Sequence, residues 1–161
     1  MNEINQINNE PVRKSRILLV DDEPGLRTAV KTFLEDEGFE IFIAVDGEDG
    51  WEKAQTVFPD LIISDVMMPR ANGYALLEKI REDEKLGGTP VIFLTAKGMT
   101  LDRTEGYLAG VDDYISKPFD PDELSARVKN VINRQERLLK AVSYTHLRAH
   151  ETVLDLVCRL L

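Results

Sequence analysis

Three consecutive acids, Asp21, Asp22 and Glu23, follow the apolar run Ile17-Leu18-Leu19-Val20, and another, Asp65, closes the run Leu61-Ile62-Ile63-Ser64. Carboxylates held about 4 Å apart at an effective dielectric near 20 repel by roughly 4 kcal/mol per pair. A chain that gathers Asp21, Asp22 and Asp65 therefore calls for a cation among them. An all-oxygen donor set that leaves room for water favours magnesium, with manganese as a substitute. Two further apolar runs end in groups of complementary type: residues 91–94 lead into Thr95 and Ala96, and Tyr114-Ile115 into Ser116 and Lys117. Metal ligands, a hydroxyl, a backbone amide beside a small side chain and an ammonium together describe a pocket for one phosphoryl group. Singly, each has a plainer use: Asp22 or Glu23 before Pro24 can cap a helix, Thr95 suits a strand, and Lys117 suits a solvated surface. Their shared position after successive apolar runs is what points to chemistry. An aspartate nucleophile is ionised at neutral pH and needs positioning and charge neutralisation rather than a general base. No His or Cys falls within residues 16–142 to serve instead.

The apolar runs at 17–20, 41–45, 61–63, 91–94 and 114–115 read as strands, most of them continuous enough to be buried on both faces. Helical patterns separate them. Leu26, Ala29, Val30, Phe33 and Leu34 mark one face, stopped by Gly38. Trp51, Ala54, Val57 and Phe58 mark the next, capped by Asp46 with Asp49 three residues on and ended by Pro59. Leu76, Leu77 and Ile80 mark the third, ending near Gly87 and Gly88. The fourth, around 100–109, has little apolar face beyond Leu101, Tyr107 and Leu108, and Gly106 weakens it, so it is expected to be the most mobile. The fifth opens at Asp120-Pro121-Asp122-Glu123, with Asp120 as cap and Glu123 completing a capping box. Strict alternation of five strand and helix units predicts the α/β class: a doubly wound parallel sheet with helices on both faces and right-handed crossovers. A strand order of 2-1-3-4-5 puts the ligand crevice at the carboxyl ends of strands 1 and 3, where the acids converge. The side chains of Met67 and Met68 are expected in the core, Pro69 and Asn72-Gly73-Tyr74 in a turn and helix start, and Trp51 in ordinary packing.

At 161 residues and a net charge of −9, the chain is sized for one domain, and its acidity argues against direct nucleic-acid binding. No apolar run has the length of a membrane span, and residues 1–15 read as a disordered arm with no signal-peptide core, which points to the cytoplasm. Cys158 is the only cysteine, so no intrachain disulfide forms. The apolar pattern of the fifth helix, Leu124, Val128, Val131, Leu138, Leu139 and Val142, runs beyond the domain edge near Asn133. Residues 134–142 thus suggest the start of a linker or dimer helix leading to an output module. Residues 143–161, "SYTHLRAHET" followed after two residues by "DLVCRLL", resemble the translated read-through of a sequencing adapter. The other reading is a short amphipathic helix using Leu147, Leu154, Val157 and Leu161. On the adapter reading the natural chain extends further, and His146, His150 and Cys158 carry no chemistry.

The motifs "VDDEP", "SDVMMPRANGY", "FLTAKG" and "SKPFDPDEL", in this order and spacing, resemble the CheY-like receiver domain of two-component response regulators over residues 16–133. The resemblance implies a flavodoxin-like (βα)5 fold and a phosphorylation switch rather than an enzyme. It makes Asp65 the phosphoacceptor for a histidine kinase or phosphotransfer protein. It has Asp22 and Asp65 ligate magnesium directly, Met67 through its backbone carbonyl and Asp21 through water. Thr95 and the Ala96 amide would hold phosphoryl oxygens, Lys117 would pair with their charge across a cis bond to Pro118, and Tyr114 would be an aromatic switch residue. When Thr95 is drawn inward, Tyr114 can rotate behind it and rearrange the face formed by the fourth helix, strand 5 and the fifth helix, where a homodimer could form. "FLTAKGMTLDR" and "KPFDPDEL" also resemble regulators of cyanobacteria and algal plastids that carry a LuxR-type helix-turn-helix. That implies DNA binding by a separate output module, and the plastid stroma if the source is algal. Two other classes compete: a magnesium-dependent aspartyl-phosphate phosphatase or phosphotransferase, and an interaction scaffold that is never phosphorylated. The enzyme would want a second acid two positions after Asp65, where Met67 stands. The scaffold would ordinarily lack one of the acids, Thr95 or Lys117.

Overall fold

The computed structural model describes residues 11–96 and 110–160, with side chains described through Ser143. Five parallel strands, β1 (Arg16–Val20), β2 (Glu40–Ala44), β3 (Leu61–Asp65), β4 (Val91–Ala96) and β5 (Asp113–Lys117), form one sheet in the order β2-β1-β3-β4-β5. Alternation sorts their side chains between two apolar layers. Ile17, Leu19, Ile63, Leu94 and Ile115 face α1 (Pro24–Asp36) and the long terminal helix (Pro121–Leu160). Leu18, Val20, Ile62 and Phe93 face α2 (Gly47–Val57) and α3 (Gly73–Glu82). Burying one such side chain contributes about 1.5–3 kcal/mol. A handful of them thus outweighs the repulsion of an acid pair at the sheet's edge. The fourth helical pattern, residues 100–109, falls outside the described residues.

Local signals place the element ends. Gly38 takes φ +100 just past α1, the left-handed backbone for which a side chain is penalised. Asp46 caps α2 by accepting the Asp49 N–H at 2.9 Å, and Asn72 caps α3 by accepting the Ala75 N–H at 2.9 Å. Asp120 accepts the Asp122 N–H at 2.9 Å, but Glu123 pairs with Arg127 at 3.2 Å instead of reaching back to complete a box.

Several expectations need correction. Val45 is not a strand residue: the Asp49 carboxylate takes its N–H at 3.0 Å, which ends β2 at Ala44 and leaves Val45 exposed. Ala29 faces solvent, and Phe58 turns out of α2 at φ 50, where it caps the helix and is 46% exposed. α3 stops at Glu82, short of the glycines, because Asp83 is extended and its carboxylate takes the Lys85 and Leu86 N–H groups. Met67 is not a core residue: it is 59% exposed on the loop beyond the last sheet pairing, while Met68 packs against the α2/α3 layer. The terminal helix is continuous from the domain through residues 134–142 and on to Leu160. Leu124, Val128, Val131 and Ile132 are buried on it, whereas Leu138, Leu139 and Val142 are exposed.

Candidate functional site

The period of two that builds the core also builds the site. Asp21, Asp65 and Lys117 continue the alternation of Leu19, Ile63 and Ile115, so all three emerge on one side of the sheet at its carboxyl edge. Register then sets what lies beside them. Asp65 pairs with Leu94, which puts Thr95 one step further out, and Ala96 pairs with Lys117. Thr95 has the opposite parity and shares its face with Phe93 and Tyr114, the latter paired with Phe93 across the strands. The Phe93 and Tyr114 rings lie 5.9 Å apart, and Tyr74 meets Phe93 edge-on at 5.2 Å.

Asp21 is fully buried. Its Oδ1 accepts the Glu23 N–H at 2.8 Å, and its Oδ2 accepts from Lys117 Nζ at 2.8 Å. Lys117 Nζ also donates to Asp65 Oδ2 at 3.0 Å, while Asp65 Oδ1 accepts the Met67 N–H at 3.2 Å. Burial works against the Lys117 ammonium, but its hydrogen bonds to Asp21 and Asp65 prevail and hold its pKa above the ordinary lysine value. One cation therefore bridges carboxylates at the ends of two strands. The capping role open to Glu23 is not taken up, since its side chain makes no cap to α1.

Asp22 joins the pair: one carboxylate oxygen each from Asp21, Asp22 and Asp65 lie within 4.8 Å of one another. Three anionic oxygens against one ammonium leave the cluster short of positive charge. Hard oxygen donors that close together, with Asp22 open to solvent, fit a hydrated magnesium ion. Ala96 is exposed and small, Thr95 is 7% exposed, and the Lys117–Pro118 peptide is cis. The sequence-named residues Asp21, Asp22, Asp65, Thr95, Ala96 and Lys117 thus share one edge, with Met67 on the adjoining loop and Tyr114 just below Thr95. Outside the described residues lies the fourth helix of the expected signalling face. A cavity of about 440 Å³ lies at the other end of the sheet, between residues 13–15, Pro90 and the terminal helix, and contributes nothing to this cluster.

One pair was not legible in the sequence. Asp46, 3% exposed, holds Arg70 as well as capping α2: Arg70 donates from Nε to Asp46 Oδ2 at 2.9 Å and from Nη2 to the same oxygen. The Asp49 N–H, and then Arg70, keep the Asp46 carboxyl below its usual range. Arg70 sits in a turn at φ +69, 24 positions from its partner, and no local pattern signals the pairing.

Comparison with known proteins places this edge in context. Residues 17–129 match the family model described as response regulator receiver domain. Over 121 residues the chain is 52% identical to "Response regulator Rre1" of Synechocystis sp., covering 74% of this chain and 52% of the relative. It is 49% identical over 118 residues to "Probable transcriptional regulator ycf29" of Porphyra purpurea, covering 73% and 56% of the two chains. The chain spans about half the length of these relatives. Among solved structures, the chemotaxis protein CheY4 of Vibrio cholerae superposes with a TM-score of 0.70 at 33% identity, covering 74% of this chain and 99% of that one. A CheY-like response regulator receiver domain protein from Methanospirillum hungatei gives 0.72 at 32% identity, covering 78% and 98%. No helix among the described residues is long and apolar enough to cross a membrane.

Proposed function

This chain belongs to the receiver domain family of two-component response regulators, and from that premise we propose that Asp65 is its phosphoacceptor. The observation that carries the reading is the meeting of Asp21, Asp22 and Asp65 within 4.8 Å, with Lys117 spanning two of them. An Asp65 carboxylate oxygen forms a bond to phosphorus as the phosphorus–nitrogen bond of a phosphohistidine breaks, and the donor imidazole leaves. Receiver domains of response regulators interact with histidine kinases or phosphotransfer proteins, and one of these supplies the group. Asp21, Asp22, Asp65 and the Met67 backbone carbonyl would hold a magnesium or manganese ion. Bound there, the ion neutralises charge on the transferring group and supplies Lewis acidity.

The chain's own residues do the rest. Lys117 moves its charge from the resting carboxylates to a phosphoryl oxygen, the Ala96 N–H and the Thr95 hydroxyl donate to the others, and the small Ala96 side chain leaves the approach open. Thr95, drawn toward the phosphoryl group, vacates space on the face it shares with Tyr114. Tyr114 then carries the change to β5 and the terminal helix, the face on which a second copy would pair. Turning such a switch from mostly off to mostly on takes about 5.5 kcal/mol of differential stabilisation, within reach of several charge-assisted contacts. Relatives named as transcriptional regulators support an output in gene control, exercised from the cytoplasm by a DNA-binding module other than this acidic domain.

Incubation with magnesium and acetyl phosphate, read by intact mass, tests the assignment. One labile phosphoryl adduct, absent from Asp65→Asn, is expected. No adduct, or one that survives in Asp65→Asn, overturns it.

A further inference from the structure

The loop from Val66 to Asn72 carries Met67 past the acid cluster, and it is fastened at two separate places. At its neck, Gly73 donates its N–H to the Val66 carbonyl at 2.9 Å. A Cβ on Gly73 would come within 2.6 Å of the Asp65 carbonyl oxygen, so only glycine lets the loop close this tightly behind the proposed acceptor. At its tip, Gly47, the first residue of α2, donates its N–H to Ala71 O at 3.2 Å, and a Cβ there would lie 2.5 Å from that same oxygen. Beside this backbone contact, Arg70 lies over Asp46, whose Oδ1 is already committed to the α2 cap. The guanidinium reaches a buried carboxylate while its own backbone stands at φ +69, a conformation that an arginine adopts only when its surroundings hold it there.

We propose that Arg70 is a positioning residue for the metal site, a latch that ties the Met67 loop to the start of α2 through Asp46 and so fixes the backbone that helps to hold the divalent ion. This rests on the assignment of Asp21, Asp22, Asp65 and the Met67 carbonyl as the metal-holding group. Asp46 serves as the anchor because both of its oxygens are spoken for: one orients α2, the other orients the loop. The anchor is itself tied to the acid cluster, since the strand leading to it ends at Ala44, whose carbonyl accepts the Asp21 N–H at 3.1 Å. The latch therefore spans from the Asp21 side of the site to the Asp65 side, across the top of α2. With the latch open, Gly47–Ala71 is the hydrogen bond that still ties the loop tip to α2. The Met67 carbonyl then samples positions away from the ion, and water gains access to the Asp65 side.

The test compares Arg70→Gly, Asp46→Asn and their combination with the unaltered protein. Glycine accepts the φ of position 70 without strain, and asparagine retains the α2 cap, so neither change should prevent folding. Magnesium affinity is measured by calorimetry on the unphosphorylated proteins, alongside thermal melting. Partners that hydrogen-bond a metal ligand directly are typically worth about 10- to 100-fold in metal affinity, and Arg70, acting one step further out, belongs at the low end of that range. The expected result is a loss of about tenfold in each single variant, no further loss in the double variant because both remove the same contact, and partial recovery in Arg70→Lys. Unchanged magnesium affinity in Arg70→Gly and Asp46→Asn, even with lowered melting temperatures, would show a merely structural contact and overturn the proposal. An unaltered protein that takes up no magnesium would overturn the metal assignment itself, a separate and distinguishable failure.

Discussion

Lys117 and Arg81 stand at opposite ends of the same sheet, and both are cations largely withdrawn from solvent. Their partners differ. Arg81 donates to the carbonyls of Gly87 at 3.1 Å, Thr89 at 2.6 Å and Gly110 at 2.6 and 3.1 Å, with one contact to the Asp112 carboxylate at 3.2 Å. Mostly neutral acceptors surround it, so burial pushes its pKa down despite the pull of Asp112. It fastens the chain entering β4 to the chain entering β5. Lys117 instead meets two carboxylates with a third nearby, and its pKa is held up. At the amino end Arg81 meets acceptors that are already in place, whereas the carboxyl end is left with surplus negative charge that one added cation can relieve. The first arrangement gives stability and the second gives responsiveness.

The comparison can be broken in four ways, ordered by the size of the effect. Asp65→Asn removes the proposed acceptor carboxylate: intact mass should show complete loss of phosphorylation, with thermal stability equal or slightly raised because repulsion is relieved. Arg81→Ala leaves the half-buried carbonyls of Gly87, Thr89 and Gly110 without their donor and should cost about 2–3 kcal/mol in denaturant unfolding, the same with or without magnesium. Lys117→Ala, at a site one-fifth exposed, should cost about 2 kcal/mol without divalent ions, and magnesium should restore most of it. A Lys117→Ala deficit that magnesium leaves untouched would erase the distinction between the two ends. The smallest effect concerns Asp46, whose carboxyl lies below its ordinary value of 3.8 when folded. A depressed carboxyl adds stability that is complete above the unfolded pKa and fades as pH falls through the folded one. Unfolding curves of the unaltered protein and Asp46→Asn should therefore differ at neutral pH, and the gap should close as pH falls from the ordinary carboxyl value through the depressed one.

How much of this was legible in the sequence follows from range. Strand order, the caps at Asp46 and Asp120 and the convergence of Asp21 with Asp65 could be read, because an alternating chain with parallel crossovers has few ways to fold and strand ends share an edge. Lys117 could be placed at the same edge for the same reason, although its contact with Asp21, 96 positions away, came only with the structure. Element ends were harder. Asp113, Ser116 and Lys117 are polar members of β5, so only its apolar centre announced a strand, and Met67 looked like core because its exposure depends on the loop rather than on its type. The two arginine contacts could not be read at all. Arg70 and Arg81 look like ordinary surface charge, and their partners lie 24 and up to 31 positions away on loops whose paths no local pattern dictates.

The central claim is that the carboxyl-end acids are gathered to share a divalent ion, and calorimetric titration with magnesium tests it most directly. Asp22 is exposed and dispensable to the core, which makes Asp22→Asn the informative partner. The account predicts saturable uptake by the unaltered protein, weakened by about tenfold or more in Asp22→Asn. No uptake by the folded protein, or equal affinity in Asp22→Asn, would contradict it.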